Sequence, residues 1–579
     1  MFSLNTWYKK DFFYYTLLII VGFFIRIYML DDRPIHHDES LHGVYSLYYY
    51  TKPETGYYKY QPLLHGPLLY NVIPWFFHLF EISKFALRLP AVILGTALIT
   101  LPLVFSQKLS KSAIFIMAIV ITLSPTLTYW SRFMRHDSFV LFGILICLFA
   151  LFKTKGNLKG ILFGIGAALQ FCAKENSFIH FTFIFVYLFY EAFIVRISKN
   201  NYTSTLKSLK NYIKNYPFGL FGGLFIFLLI FSFFYSAGFI YNEGILDGLY
   251  KKSLSYWFEQ HQKERIKGPF AFNFLINSLY ECWWVAGLIL HLIIFYKNKS
   301  PFLKTVMISP FVFGIVTQIL SKQQNYKHII SNILKLKIPL DYFLFYIFVI
   351  HAIIFTTNKI LNNRKEKAIS GFFFFSSLFT YSYLGEKVPW LAIYPCLSGL
   401  VFFGFEYDKV FNKKILPLFL TLLVHVLYTN YWSNFSESSA SHNLLTQVHT
   451  SRELESALDH IRSQMDSNIK EKKPFILIRN GHTWPTTWYL FRRKQYHYLK
   501  NQRPLENYHY ILTDPNDKTI NNKFKKSGVK KIIPLREWWV PDYKKMGLKN
   551  FFKYFLFKEN WNESGAQKVA LWTIKPIEQ

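Results

Sequence analysis

Long apolar runs constrain this chain more than any other feature. Residues 12–30, 85–105, 217–237 and 388–405 are nearly free of charge, and each approaches the ~20 residues a helix needs to cross a ~30 Å hydrocarbon layer. Further runs at 113–130, 138–152, 157–173, 177–195, 283–297, 302–320, 340–357, 370–384 and 415–432 bring the expected number of transmembrane helices to about thirteen. Of 579 residues, 52% are hydrophobic and only 17% charged, with 62 Phe and 40 Tyr. A soluble chain disperses its apolar residues rather than blocking them in this way. The expected fold class is a polytopic α-helical membrane protein.

Charge orients the chain. The net charge of +32 could suggest nucleic acid, but Lys and Arg fall in short connectors such as "FSQKLSKS", "KTKGNLKG" and "YDKVFNKK", as the positive-inside bias requires. This places the N-terminus in the cytoplasm of a plasma-membrane protein. One external connector, "SKQQNYKHIISNILKLKIP", departs from the bias with four lysines. Segment 61–80 holds three prolines and two histidines; counting it as a span would invert every later connector. It therefore reads as a juxtamembrane helix within a first external loop, 31–84. Lys9 and Lys10 precede the first apolar run and no small-residue cleavage site follows, so a retained first helix is expected. Cys147, Cys172, Cys282 and Cys396 lack CxxC spacing, which argues against a zinc finger or disulfide scaffold.

The composition changes near residue 433. A transmembrane region, 1–432, gives way to polar sequence, 433–579, that ends outside under this threading. "SRELESALDHIRSQMD" sets Leu454, Leu458, Ile461 and Met465 on one helical face, and the strand-like "PFILIRN", "YHYILTD", "VKKIIPL" and "VALWTIK" alternate with helix-like segments. A small α/β extracytoplasmic domain is expected, with 25 Lys/Arg against 14 Asp/Glu. The aromatic segments "GHTWPTTWYLFRR" and "PLREWWVPDY" suit either sugar stacking or a core.

Five polar clusters, "HHDESLHG", "YKYQPLLHGP", "SRFMRHDS", "AKENS" and "LGEKVPW", are distant in sequence yet share the external side. Ionisable groups at a membrane edge are expensive and usually functional, so a shared site is expected. Asp38 and Glu39 are adjacent, hence about 100° apart on a helix: one can face a substrate while the other supports it. At a low-dielectric boundary a carboxylate's pKa rises and it can accept a hydroxyl proton. They serve equally as acidic residues at a helix N-terminus. His36, His37, His42 and His65 could join Asp38 around a divalent metal, with His37 and Asp38 the first candidates, although the spacing matches no strong metal signature. Arg132 and Arg135 are three apart and would share a helical face suited to a phosphate. Lys174 with Glu175, and Lys387 with Glu386, add cations beside carboxylates; singly, snorkelling or local pairing accounts for each.

The stretches "IRIYMLDDRPIHHDE", "QPLLHGPLLY", "FALRLPAVILGTALITLPLVF" and "SRFMRHD" resemble the N-terminal half of GT-C membrane glycosyltransferases. "AKENSFI", "YLGEKVPWLAIY", "WPTTWY" and "PLREWWVPDY" are similar to the flippase-activity-associated GT-C-like proteins of archaea and bacteria. The resemblance covers nearly the whole chain. It implies transfer of a sugar from a polyprenyl-phosphate donor to a glycan, lipid or protein acceptor on the external face. Asp38 is then the general base with Glu39 beside it. Arg132 and Arg135 would hold the donor phosphate. From the residues themselves, these arginines with Lys174 and Lys387 suggest an anionic, membrane-embedded ligand such as a lipid phosphate, and Asp137, Glu175, Glu386 and Trp390 are further candidates for substrate contact. The transferases often carry Lys-Pro-Pro where this chain has His65-Gly66-Pro67, which leaves Lys59 and His65 as stand-ins for that lysine. The alternative is a non-catalytic accessory protein that binds lipid-linked glycan during flipping or export.

Overall fold

The computed structural model describes residues 9–51, 57–198, 203–261, 268–297, 340–408, 416–467, 475–491, 496–498 and 504–574. The expected span at 302–320 and the lysine-rich connector after it lie outside them. Among the described residues, Lys84–Val104, Asn176–Ser198, Pro217–Tyr235 and Pro389–Tyr407 are helical stretches long and apolar enough to cross a bilayer. Two bent pairs also qualify: Lys111–Leu123 with Pro125–Ser131, bent by 56°, and Phe272–Tyr280 with Cys282–Lys297, bent by 110°. Helices Lys9–Ile27, Asp137–Lys153, Gly156–Ala173, Leu340–Leu361, Lys365–Tyr383 and Leu416–Tyr431 occupy other apolar intervals read in the sequence. The chain is a membrane protein.

Local chemistry sets the breaks. Ser83, Ser110 and Ser124 each accept a backbone N–H three residues on, capping the helix that follows. Pro125 stands at the first position after Ser124, where its missing N–H costs nothing, and it turns one expected span into two short helices. Small residues let helices touch. Gly160 and Gly164 face Gly219 and Gly223, and a Cβ added at Gly160 or Gly164 would stand 2.0 or 2.1 Å from a carbonyl oxygen of the facing helix. Both pairs are GxxxG spacings, the pattern that permits close backbone approach in lipid. The outward face of Pro217–Tyr235 is Phe-rich, with Phe218 78% and Phe225 66% exposed, as a lipid-facing surface should be.

The C-terminal region builds a six-stranded mixed sheet: β1 (His449–Thr450), β2 (Ile476–Ile478), β3 (Tyr496–Tyr498), β4 (Tyr510–Thr513), β5 (Val529–Trp538) and β6 (Gly565–Thr573), in the order β1-β5-β6-β4-β2-β3. β2 pairs parallel with β3 and β4, and the other pairings are antiparallel. Helix Arg452–Ser467 buries Leu454, Leu458, Ile461 and Met465, the face read from its sequence. Three of the four tryptophans of the aromatic segments divide between two tasks. Trp539 is buried between Tyr554 and Trp561, whereas Trp484 and Trp488 reach the first loop, against Tyr45 and Gly43.

Candidate functional site

The chain leaves its first helix at Ile27 and turns through Arg33-Pro34-Ile35 into helix His37–Thr51, whose first turn carries Asp38 and Glu39. Both carboxylates suit the helix dipole, but their rotation about the axis gives them different neighbours. Glu39 points inward and is fully buried. Arg88 grips it bidentately, with Nε donating to Oε1 at 2.9 Å and Nη2 to Oε2 at 2.8 Å, and the Met134 N–H adds a third bond at 3.0 Å. Arg88 also donates to the carbonyls of Leu30, Arg33 and Pro34. Glu39 is thus the fastening of the loop.

Asp38 faces the other way, its side chain 30% exposed, and pairs with Nη1 of Arg135. The Arg135 guanidinium lies 3.8 Å over the Trp390 ring, and its Nε stands 3.5 Å from Asp137. Asp137 in turn accepts from Lys174 Nζ at 2.9 and 3.0 Å and from the Tyr394 hydroxyl at 2.7 Å. The result is an alternating row, Asp38, Arg135, Asp137, Lys174, drawn from three separate segments. Next to it, Glu175 accepts from the Tyr60 hydroxyl at 2.6 Å and pairs with His65 Nδ1 at 2.8 Å, while His65 stacks on Trp257. The His65-Gly66 turn depends on glycine. Its N–H bonds the Ala173 carbonyl, and a Cβ there would stand 2.2 Å from the Cys172 oxygen.

All five polar segments therefore meet at one end of the bundle, although not every candidate faces the cluster. Arg132 does not share a face with Arg135, because the helix ends at Ser131 and the intervening residues are non-helical. It instead donates to the carbonyls of Ile25, Arg26, Tyr28 and Met29, closing the C-terminus of the first helix. Its guanidinium is committed to backbone rather than open to a phosphate. Lys387 donates to the Ser382 and Leu384 carbonyls and lies over Phe270; Glu386 beside it is half-buried. Lys59 is exposed, over the rings of Tyr57 and Tyr241. The residues do not fit a divalent metal. Asp38 is spent on Arg135, and among the described residues no three His, Cys, Asp or Glu side chains are placed to hold a metal ion together.

Arg88, His136 and Tyr394 belong to the cluster although no spacing marks them. The signal for Arg88 is its standing as the single charge in the apolar interval 85–105. His136 sits among His42, His65 and Tyr70, at ring separations of 4.8, 5.2 and 5.8 Å. Both its nitrogens are buried without a hydrogen-bond partner among the described residues. Arg536 of β5 completes the rim, donating to the Trp484 carbonyl beside His37.

Proton affinities here run against the sequence expectation. Burial alone would raise the Asp38 carboxyl, but Arg135, with His36, His37 and His42 behind it, outweighs burial and holds it far below the usual range. Arg88 and Arg33 do the same for Glu39. Burial, reinforced for His37 by Arg536, lowers His37 to about 4 and His42 to about 3. The unfolded chain takes up protons at these histidines near pH ~6.5, whereas the folded protein resists until well below that. Stability should then be level above pH ~6.5 and decline from there toward the folded values of about 4 and 3. Asp38 and Glu39, whose folded values are depressed, add a second loss below the ordinary carboxylate pKa of ~4. Thermal unfolding midpoints across this range check the expectation, and the combined His37→Gln and His42→Gln variant should flatten the upper part of the decline.

No family model matches the chain, and no curated protein matches it. Among solved structures it is similar to ArnT from Cupriavidus metallidurans, both in the apo state and bound to undecaprenyl phosphate. Each comparison gives 11% identity and a TM-score of 0.42, and covers 96% of this chain and 97% of that chain.

Proposed function

We propose that this protein is a GT-C membrane glycosyltransferase that moves a sugar from a polyprenyl-phosphate donor to an envelope glycan, lipid or protein acceptor at the external face. One observation carries the reading. Arg135 and Lys174, two buried cations at the end of an apolar bundle, alternate with Asp38 and Asp137 in a single row. A lipid phosphate entering from the bilayer brings the anion that such a row can take up by exchange.

In the proposed cycle the donor phosphate displaces Asp38 from Arg135, while Asp137 and the Trp390 ring keep the guanidinium in place. Lys174 supplies a second cation. Asp38, released from its partner, regains proton affinity and accepts the proton of the acceptor hydroxyl. The acceptor oxygen then bonds to the anomeric carbon from the opposite side as the bond to the phosphate oxygen breaks, inverting the configuration. Polyprenyl phosphate leaves with the electron pair, its added charge held by Arg135 and Lys174. Ion pairing thus keeps the base idle until a donor is bound. The membrane region, 1–432, has its N-terminus in the cytoplasm, and region 433–579 lies outside as an α/β domain over the site.

The test is sugar transfer from labelled polyprenyl-phosphate sugar in proteoliposomes. Asp38→Asn should lower the rate about 100-fold or more, the usual weight of a general base, while donor binding persists. Equal rates would remove Asp38 from the chemistry. A second reading, an accessory protein that holds lipid-linked glycan during export, draws on the same ion pair, since a carboxylate pinned by Arg135 is a poor base. In that case Asp38→Asn would spare export in cells and Arg135→Gln would abolish it.

A further inference from the structure

Helix Gly547–Phe557 carries a surface that the core and the candidate site leave unused. Leu548, Phe552 and Leu556 follow one another at four-residue steps and are 79%, 52% and 45% exposed. Exposed Lys549 and Lys553 border that stripe along one side. The opposite face is anchored: Tyr554 is fully buried, its hydroxyl 2.7 Å from that of Tyr280 and 2.8 Å from the His442 carbonyl, which it donates to.

A second anchor sets the height of this helix against the bundle. His425 Nε2 meets the Phe555 carbonyl at 3.1 Å, and the His425 ring stacks on Phe555 with centroids 4.1 Å apart. His425 lies six residues before the end of helix Leu416–Tyr431, about 9 Å along its axis at ~1.5 Å per residue. That helix exposes Leu420, Val424, Leu427, Tyr428 and Tyr431, a surface suited to lipid. The Phe555 end of the stripe-bearing helix is therefore level with the outer end of an apolar, lipid-facing surface.

We propose that helix Gly547–Phe557 lies in the membrane interface, with Leu548, Phe552 and Leu556 at the acyl-chain boundary and Lys549 and Lys553 on anionic phospholipid headgroups. Lysine stems reach past an apolar stripe to headgroups in this way, and a basic border favours an anionic leaflet. The contact ties the sheet region to the bilayer independently of any transfer reaction.

A fluorophore at Phe552→Cys in the full chain tests this in phosphatidylcholine vesicles with and without phosphatidylglycerol, against a control label at exposed Lys526→Cys. A lipid-borne quencher should quench the label at 552 several-fold more than the label at 526. Lys549→Glu with Lys553→Glu should reduce that quenching by about half in the anionic vesicles and leave it unchanged in phosphatidylcholine alone. Equal quenching at 552 and 526 would overturn the proposal. So would a label at 552 that is shielded from an aqueous quencher yet untouched by the lipid-borne one, since a protein segment would then cover the stripe. If the paired charge reversals had no effect in either lipid, the headgroup contact would be discarded.

Discussion

Arg135→Gln should abolish sugar transfer almost completely, with a loss of about 100-fold or more. The guanidinium touches Asp38, Asp137 and Trp390 together. In the proposed cycle, removing it takes a preorganised cation from the place where charge would develop on the leaving phosphate, which typically raises the barrier by ~2.7–4 kcal/mol. It also leaves Asp38 without the partner that keeps it deprotonated. Arg135→Lys should recover only part of the activity, because an ammonium neither stacks on Trp390 nor bridges two oxygens with a planar fork. Single-turnover rates with donor already bound would separate this loss from weaker donor binding.

The second large effect falls on stability. Arg88→Leu strips Glu39 of its bidentate partner and frees the Leu30 and Pro34 carbonyls as well, leaving the Arg33 carbonyl to Lys84 alone. Breaking a buried pair from one side costs about 3–5 kcal/mol, since the remaining charge has no water to turn to. The variant should unfold at a markedly lower temperature in detergent. Glu39→Leu combined with Arg88→Leu should regain part of the loss, as both charges are then gone while the Leu30 and Pro34 carbonyls stay unsatisfied. A double variant no more stable than Arg88→Leu alone would assign the loss to those carbonyls rather than to the stranded carboxylate.

Much of this site was legible in the sequence because its ingredients are conspicuous in an apolar chain. Asp38, Arg135, Asp137, Lys174, Glu175 and His65 stand out as polar residues at the ends of membrane-length runs, and the threading puts them on one side before any contact is known. Pairings were not legible. Arg132 and Arg135 look alike at a three-residue spacing, but the helix stops at Ser131 and sends them to different partners, one to backbone carbonyls and one to Asp38. Burial alone would make Asp38 a base of raised proton affinity; the proximity of Arg135, with His36, His37 and His42 behind it, reverses the direction. The adjacent Asp38 and Glu39 could be read as one active carboxylate and one support, yet the support role of Glu39 rests on Arg88, which lies 49 residues away in the chain. The 110° bend between Tyr280 and Cys282 has no proline to announce it.

Phosphate exchange at Arg135 is the central step of the proposed cycle, and equilibrium binding of a polyprenyl phosphate to the full chain in nanodiscs tests it most directly. Saturable binding by the wild type, weakened at least about tenfold by Arg135→Gln (~1.4 kcal/mol) and unchanged in a folded Arg132→Lys variant, is the predicted result. Binding that ignores Arg135, or a wild type that binds no polyprenyl phosphate, would contradict it.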